Sequence, residues 1–191
     1  YAYGDGGYES CELAEEAASE LFYGLPIDGY CALNMDGLPT LTDGVGGITV
    51  TVPNDSLEEV DARFAKGASV MLKGEDTELF VRYRNIDISQ SALTRMERQQ
   101  EYIRAFGETL KKASEEKELV TDLYTAIEPY MVTNMGKSRF IDLTESLSEG
   151  GEVKRWTIPG EGVRGKEYDE YLVDDDTLYE KTVETFYVEK E

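Results

Sequence analysis

The chain is 191 residues long and carries 40 acidic against 19 basic side chains, a formal net charge of −21, with no histidine. That field repels nucleic acid and anionic lipid, and the missing imidazole excludes Ser-His-Asp and Cys-His catalysis and histidine-ligated zinc. With 40% hydrophobic residues, 13 tyrosines and no apolar run long enough to span a bilayer, residues 1–191 read as one soluble domain with neither transmembrane helix nor signal peptide.

Beyond the glycine-rich YGDGG, Ser10–Tyr23 is predicted to be a helix, with Leu13, Ala17, Glu20 and Leu21 near helical spacing and Gly24 in the stop position. Ile27–Leu33 has the content of a strand after the LPID turn, and Asp36–Asp43 that of a short helix. The alternation of ITVTVP marks a strand ended by Pro53, and SVML, Ser69–Leu72, is another. Gly74–Arg84, GEDTELFVRYR, reads as a helix with Glu75 and Asp76 at its positive end.

Ala92–Ala113 is the strongest helical pattern, with Leu93, Met96, Ile103, Phe106 and Leu110 as one apolar stripe. Thr121–Glu128 stays helical up to Pro129, MVT (Met131–Thr133) is a short strand, and Ser138–Leu147 is a helix before the SEGGE turn. VKRWTIP (Val153–Pro159) and DEYLV (Asp169–Val173) read as strands, and Asp174 caps a last helix to about Tyr187. Strands interspersed with helices predict an α/β fold, an α-β-α sandwich with a central mixed sheet and helices on both faces.

The densest chemistry lies in Val81–Phe106, which holds five of the nine arginines. Arg95, Gln99 and Tyr102 share one helix face, with Arg98 one turn from Arg95, while Arg104 points elsewhere. The loop NIDISQS is short enough to fold Arg82 and Arg84 back towards the start of the long helix. Four guanidiniums converging there suit a diphosphate, because each planar fork donates two parallel hydrogen bonds to phosphate oxygens. The competing reading is ordinary surface ion pairing, Arg98 with Glu97 or Glu101 for example, worth about 0–1 kcal/mol a pair.

The run RYR, a loop, then SALTRMERQQEYI resembles the signature of the LytR-CpsA-Psr family of cell-wall glycopolymer transferases. YAYGDGG, PIDGY, LTDGVGGITVTVP and the C-terminal IPGEGV…YDEYLVDDDTLYEKTVETFY are similar to further family motifs, in order over nearly the whole chain. The resemblance implies a phosphotransferase on the outer face of the cytoplasmic membrane or in the cell wall, held by an N-terminal anchor outside this chain. It implies transfer of a glycopolymer, of the teichoic acid or capsular polysaccharide class, from a polyprenyl-pyrophosphate carrier to peptidoglycan. Carried over by position, Arg82, Arg84, Arg95 and Gln99 would be the catalytic grip on the pyrophosphate, with Arg98, Gln100 and Asp87 as further substrate-binding residues. The family's Mg²⁺ ligands, and its early strands with a PRD arginine, are expected upstream, so the chain alone is expected to be catalytically incomplete. Ala92 stands where many members place an aspartate, and Asp87 lies earlier in the loop as its possible substitute. The reading from another class is a non-catalytic extracellular domain that binds a cell-wall polymer or a partner protein.

Other features carry less. Cys11 and Cys31 are two small buried residues or one bridge. Asp174, Asp175 and Asp176 are explained by helix capping before a cation site, GDGG is a turn before a phosphate cradle, and Asp43 with Gly46 and Gly47 shapes a helix-to-strand turn. Trp156 and the tyrosines at 168, 171, 179 and 187 read as packing around the C-terminal helix rather than a sugar platform.

Overall fold

The computed structural model describes residues 4–113, 117–149 and 156–187. It is mixed α/β, with strands paired as three two-stranded sheets: β1 (Cys31–Leu33) with β4 (Met131–Thr133), β2 (Ile48–Thr51) with β3 (Ser69–Leu72), and β5 (Gly160–Arg164) with β6 (Asp169–Val173). The chain forms two compact units, one of residues 32–131 and 135–153, the other of residues 1–31, 132–134 and 154–191.

In the first of these, α2 (Leu38–Gly44) starts at Leu38-Pro39, where proline's missing N–H costs nothing. The turn after it needs Gly47 at φ +98°, and a Cβ there would sit 3.2 Å from the Leu72 carbonyl oxygen and closer still to the Lys73 side chain. β2 and β3 run antiparallel with Ile48 opposite Leu72, and the period of two sends Ile48 and Val50 inward. Around them pack Val52, Leu57, Phe64, Leu72, Phe80 and, from α4 (Ser91–Ala113), Tyr102 and Ala105. A smaller cluster joins Leu110 to Leu123 and Ile127 of α5 (Lys117–Ile127), with Phe140 of α6 (Lys137–Glu149) against it. Pro129 does not stop the chain after α5 but starts a 3₁₀ turn, Glu128–Tyr130.

The apolar stripe expected on α4 is rotated. Ile103 is 62% exposed, and Arg98, Tyr102 and Ala105, at i, i+4 and i+7, are buried on the face that packs inward. A guanidinium with enough hydrogen-bond partners can occupy a core position, and composition cannot announce that.

In the other unit, α1 (Tyr8–Leu21) opens where the Gly7 N–H donates to Asp5 Oδ1 (2.7 Å) and the Gly6 N–H to Ser10 Oγ (2.7 Å). The GDGG segment is therefore a helix-entry turn. Asp174 caps α7 (Asp175–Phe186), accepting from the Thr177 N–H and hydroxyl, which accounts for the acidic triplet's first member. Phe22 meets Trp156 and Phe186 edge-on, and Tyr23 meets Tyr179 at 5.1 Å.

Two strands differ from expectation. Residues 153–155 lie outside the described residues, and Trp156–Pro159 are not strand; the ladder begins at Gly160, opposite Val173. Its register is counted outward from the turn at residues 165–168, and Pro159 has no N–H to extend it. β1 is limited to Cys31–Leu33, because the Tyr30 N–H goes to Asn134 Oδ1 (2.9 Å) and not to a strand carbonyl.

Candidate functional site

The arginine-rich segment forms a corner between α3 (Glu75–Arg82) and α4. Glu75, Asp76 and Glu78 occupy the first turn of α3, where the helix dipole is positive, and Arg63 bridges Asp61 and Asp76 beside it. At the other end α3 leaves carbonyls without intrahelical donors, as every helix does. Side chains of α4 supply them: Arg98 Nε donates to the Phe80 carbonyl (2.8 Å), Arg98 Nη2 to the Tyr83 carbonyl, and Gln99 Nε2 to the Val81 carbonyl (3.3 Å). Arg98 Nη1 donates to Ser56 Oγ, on the loop that follows β2.

Arg98 is 1% exposed and meets no carboxylate. Burial pushes its pKa down, and the neighbouring Arg95 guanidinium adds to the shift. Three of its five N–H donors are used by the Phe80, Tyr83 and Ser56 oxygens, which leaves two. The ion pair expected with Glu97 or Glu101 does not form: Glu97 accepts from Asn54 Nδ2 (2.8 Å), and Glu101 accepts from Arg104 and from the Thr51 N–H (2.7 Å).

The five arginines of the segment thus separate into two kinds. Arg82 is paired with Glu78, and Arg104 with Glu101 and Glu108, at helical spacings and partly in solvent. Arg84, Arg95 and Arg98 have no carboxylate partner among the described residues. Arg84 Nε donates to Ser91 Oγ (3.0 Å) at the start of α4. Arg95 Nε is buried with no hydrogen-bond partner among the described residues. In a protein with 40 acidic residues, three guanidiniums without a carboxylate partner among the described residues are a concentration of uncancelled positive charge at one corner.

A cleft of about 550 Å³ opens there. The α3–α4 corner contributes Tyr83, Arg84, Asn85, Ile88, Ser91, Thr94 and Arg98, and the loop after β2 contributes Asp55, Ser56, Glu58 and Glu59. Of the residues singled out from sequence, Arg84 and Arg98 line it. Arg95 adjoins Arg98, Gln99 serves the α3 terminus, and Arg82, Gln100 and Asp87 are exposed outside the lining. Ala92 is half-buried at the start of α4, and Asp87 is held in its loop by a hydrogen bond from its N–H to Asn85 Oδ1 (3.0 Å). Sequence reasoning missed the loop of Asn54, Asp55, Ser56, Glu58 and Glu59. Its only signal was a polar run after the strand-ending Pro53. Among the described residues no three acidic or cysteine side chains converge to hold a metal ion.

The LytR_cpsA_psr family model matches residues 1–186. The chain is similar to the polyisoprenyl-teichoic acid–peptidoglycan teichoic acid transferase TagU of Bacillus mycoides (strain KBAB4), at 31% identity over 170 residues, which cover 85% of this chain and 51% of that protein. TagU of Bacillus cereus (strain ATCC 14579) matches at 29% over 170 residues, with the same coverage. The chain therefore spans about half the length of the curated relatives it matches. Its fold is that of B. subtilis TagV (TM-score 0.70, 20% identity, 96% of this chain and 74% of that one). It is equally that of the structure described as TagT bound to LI-WTA (TM-score 0.70, 18% identity, 91% and 64%). The motif order, the fold and the match over almost every residue agree, and the chain belongs to the LytR_cpsA_psr family.

Proposed function

We propose that this chain is the part of a cell-envelope phosphotransferase that grips the pyrophosphate of a polyprenyl-linked glycopolymer while the polymer is joined to peptidoglycan. The observation that carries the reading is the set of three guanidiniums, Arg84, Arg95 and Arg98, left without carboxylates beside the cleft of about 550 Å³. The relatives' names, which specify a polyisoprenyl-linked teichoic acid and peptidoglycan, supply the class of donor and acceptor. Their names support a cell-envelope location, and this reading puts the work on the outer side of the cytoplasmic membrane.

In this reading an acceptor hydroxyl attacks the phosphorus next to the glycopolymer. Its new P–O bond forms as the bond to the prenyl phosphate breaks, prenyl phosphate leaves, and the hydroxyl proton passes to solvent. Negative charge moves onto the bridging and leaving oxygens, so fixed forks aimed at them lower the barrier without any proton transfer of their own. Arg84 and Arg98 reach the cleft directly. Arg95 supplies a further fork at their side, and Gln99 keeps the end of α3, and so Arg84, in place. Mg²⁺ would supply further charge neutralisation. The described residues form no cluster to hold it, and no step here runs through it.

Calorimetric titration with farnesyl pyrophosphate tests the reading. Wild-type chain is expected to bind, and Arg95→Ala to bind roughly 10- to 100-fold more weakly, the worth of one charge-assisted hydrogen-bonding group. Equal affinities would remove Arg95 from the site. Binding of purified wall polymer with no response to any pyrophosphate would instead favour a non-catalytic domain.

A further inference from the structure

Asn54 and Ser56 lie outside the motifs from which the family is recognised on α3 and α4, yet both are tied to α4. Asn54 is 7% exposed and uses both ends of its amide. Nδ2 donates to the Thr94 carbonyl (2.9 Å) and to Glu97 Oε2 (2.8 Å), while Oδ1 accepts from the Ser56 N–H (3.2 Å) and the Ser56 hydroxyl (2.5 Å). A serine hydroxyl has one proton. Because that proton goes to Asn54, the lone pairs of Ser56 Oγ are what Arg98 Nη1 meets. The donors therefore run in one direction, from Arg98 to Ser56, from Ser56 to Asn54, and from Asn54 to the Glu97 carboxylate. Each bond in such a chain polarises the next, so a distant negative charge supports the buried guanidinium through two neutral side chains.

Resting on the function proposed above, we infer that Ser56, oriented by Asn54, is a positioning residue for Arg98 in pyrophosphate binding. The Phe80 and Tyr83 carbonyls hold Nε and Nη2, and Ser56 holds the third corner of the fork, Nη1. With all three nitrogens tethered, the guanidinium cannot turn about its Nε–Cζ bond, and its two remaining N–H groups keep a constant direction at a residue that lines the cleft. A fork fixed in advance loses little freedom when it meets a phosphate. Without Ser56 the Nη1 corner is free.

The test uses the 191-residue chain with farnesyl pyrophosphate as the calorimetric probe and, without ligand, NMR of the Arg98 side-chain nitrogens. Ser56→Ala is expected to weaken binding about tenfold and to speed rotation of the Arg98 guanidinium, the scale of one lost hydrogen bond to a charged group. Ser56→Thr, which keeps the hydroxyl, should restore both. In an Arg98→Lys background, Ser56→Ala should cost nothing further, because the fork it positions is gone. Wild-type affinity in Ser56→Ala overturns the inference, and so does an equal loss in the Arg98→Lys background, which would mark Ser56 as general scaffolding. Unrestrained rotation of the wild-type guanidinium also overturns it, whatever binds. Failure of the wild type to bind farnesyl pyrophosphate, with the guanidinium rigid, overturns the proposed function and this inference with it. Ser56→Thr guards against misfolding: if Ser56→Ala does not fold but Ser56→Thr folds and binds weakly, a hydroxyl at 56 is not what the site needs and the inference fails.

Discussion

Replacing Arg95 by methionine should make the empty protein more stable and the liganded protein less so. Arg95 Nε is buried without a partner among the described residues, and such a donor costs about 1–3 kcal/mol relative to one that stays in water. Arg95 also repels Arg98, whose guanidinium it destabilises. Methionine keeps most of the aliphatic stem and loses both penalties. A gain of about 1–2 kcal/mol is expected in urea denaturation without ligand, or roughly 2–4 °C in thermal midpoint per kcal/mol for a chain of this size. At a farnesyl pyrophosphate concentration about a hundred times Kd, wild type gains about 2.7 kcal/mol from binding. A variant that binds about 100-fold more weakly gains only about 0.4 kcal/mol at that concentration, so the order of the two proteins reverses. That crossing is the signature of a residue kept for a ligand at the expense of the fold. If Arg95→Met is destabilised by more than about 1 kcal/mol in the empty state, or binds as tightly as wild type, Arg95 is a structural residue and the reasoning fails.

Two further outcomes follow from the same geometry. Thr42 gives its proton to the Leu38 carbonyl, so Tyr102 donates to Thr42 Oγ1 (2.9 Å), and burial pushes the phenol up to about 12. Between pH 10 and 12 the unfolded chain releases this proton and the folded one keeps it, so stability falls as pH rises, by up to about 2.7 kcal/mol from this group. Tyr102→Phe should flatten that part of the alkaline denaturation curve, and an unchanged slope would show that Tyr102 does not carry it. Asp55, Glu58 and Glu59 share the cleft with Arg84 and Arg98. Converting them to Asn, Gln and Gln should raise affinity for inorganic pyrophosphate several-fold at low salt and much less at about 0.5 M, since the effect is Coulombic. A gain that ignores ionic strength would point to altered shape instead.

Much of the fold could be read from the residues because its signals are local. The periodicity of Ala92–Ala113, the Asp174 cap and the alternation of Ile48–Thr51 each specify their element within one or two turns of chain, and each is where it was expected. The misreadings concern partners further away. Val153–Pro159 has as strong a β composition as Gly160–Arg164, but which five residues pair is decided by counting back from the turn at residues 165–168. Ile103 belongs to the apolar set by type, yet α4 turns Arg98 and Tyr102 inward, because the core beside it offers carbonyls and a hydroxyl as well as methyl groups.

The site divides along the same line. That arginines gather between Val81 and Phe106 is plain from composition, and the pairs Glu78–Arg82 and Arg104–Glu108 follow from i,i+4 spacing. Which arginines remain unanswered does not follow from spacing. Arg98 is three residues from Glu101 and adjacent to Glu97, and by sequence either could have neutralised it. Glu101 is claimed by Arg104 and by the Thr51 N–H, and Glu97 by Asn54, a residue 43 positions away. The carboxylates nearest in sequence are thus occupied from outside, and Arg98 is left to hold two backbone carbonyls and a serine. A guanidinium held this way is fixed in direction while its charge is not cancelled, which is the condition an anion site requires and a surface ion pair destroys. The distinction between a salt-bridge network and a phosphate grip therefore lies in what has already engaged the carboxylates, and at this corner they are engaged by Asn54, Arg104 and the edge of β2.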